Sequence, residues 1–447
     1  MSQSPLLEEQ SPSHAAAPAP QPPSPEALDL NALQRESLLA LAERAASFNV
    51  RHLPPRPRHA LVNDIVRAAI ARGVRVTAEG VVETPGDMGG AGVIRWPEFS
   101  FVPCPEDVFI PAGMMRAHGL RPGQLVSGTL RASPQHRDKL IALDHLLTVE
   151  GQPLERWTPP KGFDQLTAQF PNERIILESA GYSTPTVRAI DLISTLGRGQ
   201  RGLIVAPPRI GKTILLKEIA KAIRAAYPEI HLILLLVDER PEEVTDFRRE
   251  VDAEIFASTF DEAPARHIQV SELVGERAKR LVELGKHVVI LLDSITRLAR
   301  GHNATASSKG RIMSGGVEAK ALLKPKKFFS SARNTEEGGS LTVLATALVE
   351  TNSRMDDVIF EEFKGTGNME LHLDRELVSK RIYPAIHITK SGTRRDDLLY
   401  HPDELARVHL LRRKLAELPP LEGMEVLLDH IKATKSNTEL LLAGVRF

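Results

Sequence analysis

The chain has 447 residues, 42% apolar and 26% charged, which is ordinary for a globular protein and enough for roughly three domains of about 150 residues. Lys+Arg and Asp+Glu both number 57, which speaks against a uniformly basic nucleic-acid binder and against an acidic tail protein, while 4% aromatic content leaves no broad stacking surface. The single cysteine, Cys104, excludes an intrachain disulfide, a zinc ribbon and an iron–sulfur cluster, and with no apolar run near ~18–20 residues and no signal-like start the counts predict a cytoplasmic chain with no membrane partner.

In chain order, residues 1–28 hold Pro5, Pro12, Pro18, Pro20, Pro22, Pro23 and Pro25 among Ala, Ser, Gln and Glu. Such a segment cannot bury enough apolar surface to offset its ordering entropy, so a disordered tail is expected, with a partner-binding polyproline segment as the alternative. Leu30, Leu33, Leu38, Leu39, Leu41 and Ala42 have helical spacing, which predicts one helix from Leu30 to Ala46. Pro54, Pro55 and Pro57 end that pattern, and a second helix near Arg58–Ala71 completes a small helical subdomain over 29–75. Residues 51–75 carry Arg51, Arg56, Arg58, Arg67, Arg72 and Arg75 against Asp64 alone. A solvated helical face and a nucleic-acid contact surface explain this equally well.

Residues 76–150 change character. Short β-rich runs at Thr77–Glu83, Gly92–Arg95, Asp107–Ile110, Leu125–Leu130 and Leu140–Leu147 alternate with Gly/Pro turns, which predicts a small barrel of the OB type. Residues 151–185 show little pattern and are expected to be a linker. From 186 to 447 apolar strands at Leu203–Ala206, Leu232–Val237, Val288–Leu292 and Leu341–Ala347 alternate with helical segments. That rhythm predicts a parallel sheet covered by helices on both faces.

The first of those strands runs into Ala206-Pro207-Pro208-Arg209-Ile210-Gly211-Lys212-Thr213, followed by a helix beginning at Ile214. This is a P-loop in the strand–loop–helix setting it needs, with Ala206 at the first glycine position. Gly211 allows a tight turn that points N–H groups at phosphate, Lys212 would reach the β/γ-phosphates, and the Thr213 hydroxyl would ligate Mg²⁺. Asp293, ending the apolar strand His287–Leu292, is the second candidate Mg²⁺ ligand; a strand-terminating turn residue is the alternative. Glu239, ending the strand that starts at His231, lies at the ligand edge of a parallel sheet and is the candidate general base, with a capping glutamate as the alternative.

Taken together, GLIVAPPRIGKT, DERPEEVTDFRR, STFDE, RHIQV, LLDSITRLAR, GGSLTVLATALVET, FKGTGNMELHLDR and SKRIYPAI…SGTRR resemble the bacterial transcription termination factor Rho family. The resemblance runs from about Asp29 to the C-terminus and is densest from about 180 to 400. It implies a RecA-like P-loop ATPase core preceded by a helical cap and an OB-fold primary RNA site. It also implies a homohexameric ring that uses ATP and Mg²⁺ to translocate 5′→3′ on single-stranded nascent RNA and to dislodge RNA polymerase, with elongation factors as further partners. On this resemblance Pro208, Arg209, Ile210, Gly211, Lys212, Thr213 and Ile214 form the nucleotide loop, and Glu239 is the catalytic glutamate. Arg240 couples sites, and Arg394 is the finger supplied by a neighbouring subunit. Arg381 is a phosphate sensor, and Tyr383 stacks on adenine.

The resemblance also places RNA contacts. Residues 304–316 match a central RNA-gripping loop with Lys309 and Arg311, and 351–355 match a second loop with Arg354. Arg300, Lys309, Arg311, Lys320, Lys324, Lys326 and Lys327 face only Glu318 in sequence, so 300–327 reads as a basic surface. In the OB region the family pattern Gly-aromatic-Gly-aromatic-x-Arg reads here Gly90-Ala91-Gly92-Val93-Ile94-Arg95. Arg95 and Phe109 keep their positions, whereas Ala91, Val93 and Leu140 replace aromatics. Stacking contributes roughly 1–3 kcal/mol per base, so weak primary binding or altered base preference is expected. Trp96, Phe99 and Phe101 could compensate or could be core. The remaining alternatives are a rotary or protein-export ring ATPase and an RNA-binding regulator with a degenerate motor.

Overall fold

The computed structural model describes residues 27–51, 57–86, 88–132, 141–306 and 312–444. The expected tail, apart from Ala27 and Leu28, lies outside these, as do Leu140, Lys309 and Arg311.

The expected helix from Leu30 to Ala46 is two helices, Leu30–Arg35 and Leu38–Ser47. Ser37 separates them: its side chain accepts from the Ala40 N–H at 3.2 Å and caps the second helix. Leu38 and Leu39, which suggested continuity, are exposed, and Leu30, Leu33 and Leu41 are the buried anchors. The helix Arg58–Ala71 buries Leu61, Val62, Ile65, Val66 and Ala69 against them and against the barrel.

The barrel strands are Val76–Glu83, Gly92–Arg95, Val108–Ile110, Leu125–Ala132 and Ile141–Val149. The first pairs with both the second and the fourth, and the fifth joins the third to the fourth, so the ladder closes. Closure leaves no unpaired edge, as in an OB-fold. Trp96 and Phe101 are fully buried, and Phe99 packs edge-on against His59 with centroids 4.9 Å apart. None of the three forms an open stacking platform.

The ATPase sheet runs in the order Glu254–Thr259, His231–Glu239, His287–Asp293, Ser340–Leu348, Arg201–Ala206, Met369–His372, Gly392–Thr393. All pairings along this path are parallel except the last. Side-chain alternation divides the core: Ile204 and Ala206 face one hydrophobic cluster, Leu203 and Val205 the other. The unexpected strands, Glu254–Thr259 and Met369–His372, bury only alternate residues, so they lack the continuous apolar signal of the central ones.

The expected linker 151–185 is built into this core. Phe163 and Leu166 join the second cluster, and Ala168–Gln169 pairs with the strand Arg333–Thr335. Barrel and ATPase sheet also share packing: Val81 and Phe101 belong to that same cluster, and Phe101 stacks on Phe256 with centroids 4.7 Å apart. The helix Pro264–Glu283 lies along the seam. Its Gln269 donates to Glu83 at 2.8 Å, Arg277 pairs with buried Glu150 at 2.7 Å, and Glu283 accepts from Arg121 at 2.7 Å.

Candidate nucleotide site and RNA-facing loops

The P-loop strand lies between two parallel strands, so its loop opens at the carboxyl edge of the sheet. Gly211, at φ +87°, makes the turn into the helix Lys212–Ala226 and supplies no capping side chain. The first N–H groups of that helix are therefore available to an anion. A cavity of about 510 Å³ lies over the loop, lined by Pro207 to Thr213, Glu239, Arg240, Glu243, Arg297, Arg300, Leu348 and Thr351.

Three separated segments meet there. Lys212 Nζ donates to Glu239 Oε1 at 3.2 Å and to Asp293 Oδ1. A register shift between Val237 and Glu239 bends the strand end, and the buried Glu239 carboxylate lies against the loop rather than toward solvent. Asp293 is fully buried. Its Oδ1 also accepts from Thr346 at 2.7 Å, and its Oδ2 has no protein partner. Thr213 Oγ1 lies 3.4 Å from Glu243 Oε2. A buried Asp293 oxygen without a donor and the Thr213 hydroxyl are both oxygen ligands of the kind a hard divalent cation takes. The residues present therefore fit Mg²⁺.

Electrostatics follow the geometry. Burial and the neighbouring Asp293 charge hold the Glu239 carboxyl above its usual range, against the pull of Lys212 and Arg297. Burial pulls the Lys212 ammonium down, but the charges of Asp293 and Glu239 leave it above its ordinary value. Arg297, not singled out in sequence, pairs with Asp238 at 2.9 Å and lies 3.8 Å from Glu239. It sits four residues after Asp293, in the first turn of the helix Ile295–Thr305, and that spacing was the only available signal.

Pro208, Arg209 and Ile214 are exposed and Ile210 is buried beneath the loop. Arg240 is exposed and lines the cavity. Arg381, Tyr383 and Arg394 do not line it. Arg381 and Tyr383 are exposed, and Arg394 lines a separate cavity of about 560 Å³ with Glu370, Lys390, His409, Arg412 and Arg413.

The two loops matched to RNA contacts meet. Gly315, at φ +75°, lies so close to the second loop that a Cβ there would be 2.7 Å from the Arg354 carbonyl oxygen. Arg354 is exposed at the start of the helix Arg354–Lys364. Buried Asp356 anchors that loop, accepting from Arg300 at 2.8 and 2.5 Å and from Thr351 at 2.6 Å. Of the basic residues expected to form a surface over 300–327, three are paired: Arg300 holds Asp356, Lys324 holds Glu272 and Lys326 holds Glu362. Over 51–75, Arg58 donates to the carbonyls of Gln34 and Glu36, and Arg72 to that of Ser47.

In the barrel, Arg95 lies partly buried between Glu83, at 2.5 Å, and Asp107. Ala91 and Val93 are buried, and Val93 lies opposite half-exposed Phe109 in the ladder.

The family model of the ATP synthase alpha/beta family, nucleotide-binding domain, matches residues 186–393, and that of the Rho termination factor, RNA-binding domain, matches residues 78–155. A transcription termination factor Rho from Akkermansia muciniphila is 51% identical over 421 residues, covering 94% of this chain and 88% of its own. Those of Aquifex aeolicus and Pseudomonas aeruginosa are 47% and 46% identical, covering 92% of this chain and 94% and 98% of their own. Among solved structures, a type III secretion system ATPase of pathogenic bacteria superposes with a TM-score of 0.52 at 22% identity, over 62% of this chain and 87% of its own. That likeness shows the fold of the ATPase core alone. By the identity and extent of the sequence matches, the chain belongs to the transcription termination factor Rho family and carries that family's RNA-binding domain ahead of a P-loop ATPase core.

Proposed function

We propose that the protein is a cytoplasmic, RNA-dependent ATPase that assembles as a homohexameric ring, translocates 5′→3′ on nascent RNA and terminates transcription by releasing that RNA from RNA polymerase. The observation that carries this reading is the convergence of Glu239 and Asp293 on Lys212, beside a cavity of about 510 Å³ over the P-loop, in a chain with a Rho-type RNA-binding barrel.

Phosphate would compete with Glu239 and Asp293 for the Lys212 ammonium, while the P-loop N–H groups, with Pro208 to Ile214 shaping the loop, hold the remaining oxygens. Thr213 and Asp293 would hold Mg²⁺, which supplies charge neutralisation between the phosphates. Glu239 would orient and deprotonate the attacking water, with Arg297 holding its carboxylate in place. Arg394 would reach the cavity of a neighbouring subunit, supported by its exposure and by its lining a cavity other than the one over its own P-loop. Arg240 would relay packing between sites, Arg381 would sense phosphate and Tyr383 would stack on adenine. Lys309, Arg311 and Arg354 would grip RNA in the ring centre, and Arg95 and Phe109 would contact it at the barrel.

The test is the ATPase rate of the full chain against a panel of homopolymer RNAs. RNA should raise the rate severalfold, with a weaker preference for poly(C) than in relatives that keep both barrel aromatics. A rate indifferent to every RNA rejects the proposal.

A further inference from the structure

At the seam between the helical subdomain and the barrel, three side chains with metal-binding chemistry converge. His59 comes from the first turn of the helix Arg58–Ala71, and Cys104 and Glu106 come from one barrel loop. One potential ligand atom from each, a ring nitrogen, a sulfur and a carboxylate oxygen, lies within 4.8 Å of the others. Glu106 is fully buried, and its Oε2 has no hydrogen-bond partner. Its other oxygen, Oε1, is already partnered by Gln34 and His59, so Oε2 is the buried atom whose lost hydration a cation would offset.

We propose that His59, Cys104 and Glu106 form a zinc site that clamps the helical subdomain onto the barrel. Mixed sulfur, nitrogen and carboxylate ligation suits a borderline-soft ion, and three protein ligands leave one position for water. The supporting contacts are in place. Gln34 donates to Glu106 Oε1 at 3.2 Å, the Cys104 N–H donates to Asp107 at 2.7 Å, and the Phe99 ring packs against the imidazole. Such second contacts fix ligand orientation. The His59 side chain is 34% exposed, which gives an ion a route in.

The site must rearrange slightly to close. His59 Nδ1 and Glu106 Oε1 are 2.6 Å apart, at hydrogen-bond distance. A tetrahedral ion with Zn–N and Zn–O near 2.0–2.2 Å needs these atoms roughly 3.3 Å apart, a change that side-chain rotation supplies. The Cys104 thiol, now donating to the Val102 carbonyl at 3.2 Å, gives its proton to solvent on binding. A cysteine must lose its proton to ligate an ion, so binding should weaken as pH falls.

The test uses metal-free full chain with excess Mg²⁺ to occupy the nucleotide site. Co²⁺ is titrated first and Zn²⁺ second, as competitor. Because the chain has one cysteine, a sulfur-to-cobalt charge-transfer band reports Cys104 alone. We expect that band at one equivalent, its loss on adding Zn²⁺, and protection of Cys104 from alkylation by Zn²⁺. Cys104→Ser should abolish the band, and His59→Gln and Glu106→Gln should each weaken Zn²⁺ binding at least about tenfold with unchanged far-ultraviolet circular dichroism. Absence of the band together with unchanged alkylation in the unmutated chain overturns the site, whether or not any variant folds. A band that persists at unchanged affinity in His59→Gln and Glu106→Gln overturns the three-ligand assignment.

Discussion

Glu239 and Asp293 lie against the same lysine, yet their surroundings assign them different work. Asp293 is fixed by Thr346 and keeps one bare oxygen, which suits a cation ligand. Glu239 is held above the usual carboxylate range by burial and by Asp293, which suits a proton acceptor. Glu239→Gln should therefore lower turnover by roughly 10²–10⁴ while nucleotide binding survives, measured by ATP hydrolysis and by binding of a fluorescent nucleotide. The pH dependence has a definite sign. The base works ionised, and its raised pKa keeps it protonated to higher pH, so the acid limb of kcat should lie above the ordinary value of about 4.3. A limb at or below that value removes Glu239 from the role. The P-loop, Glu239 and Asp293 were legible in sequence because each ends an apolar strand. Thr346, Glu243 and Arg297 were not, because only the folded sheet brings them to the loop. The pairing of Arg95 with Glu83 and Asp107 was not legible either, since it depends on barrel register that no local pattern reveals.

Loops and helices carry the next level of argument. The backbone of Gly315 passes so close to Arg354 that the two loops leave no room for a side chain between them, and Asp356 ties the second loop to Arg300 at the rim of the nucleotide cavity. On the proposed reading, RNA at the loops and phosphate at the cavity would be connected by this short path. Gly315→Val adds a branched side chain where there is no room and where φ is positive. It should cut RNA-stimulated hydrolysis at least about tenfold while leaving nucleotide affinity within about twofold. A simple folding defect does not separate rate from binding in this way. Equal loss of both would show that the contact only supports the fold. The central strands were readable because both their faces are buried. The edge strands and the break at Ser37 were not, because half-buried strands and exposed leucines give ambiguous periodicity.

At the scale of the molecule, barrel and motor share one hydrophobic cluster and a ladder of polar contacts along Pro264–Glu283. They should therefore melt together. A single calorimetric transition is expected, and Phe101→Ala, which opens a cavity against Phe256, should cost about 3–5 kcal/mol and lower or split it. Two well-separated transitions in the unmutated chain would contradict this. The proposed ring makes a separate prediction. Lys212→Ala and Arg394→Ala chains should each be inactive alone, yet mixed before assembly they should regain ATPase activity, because one supplies the loop and the other the arginine. No recovery on mixing places Arg394 in its own subunit's chemistry.

The seam helix also has a mechanical meaning. Its attachments to the barrel run from Arg266 to Glu283, a span of about 25 Å at 1.5 Å per residue. Tension applied to the barrel by a held transcript is consequently shared among these attachments at once, as by rivets along a plate, and they must yield together rather than peel apart singly. The barrel then behaves as a stiff handle on the motor rather than as a weight on a string.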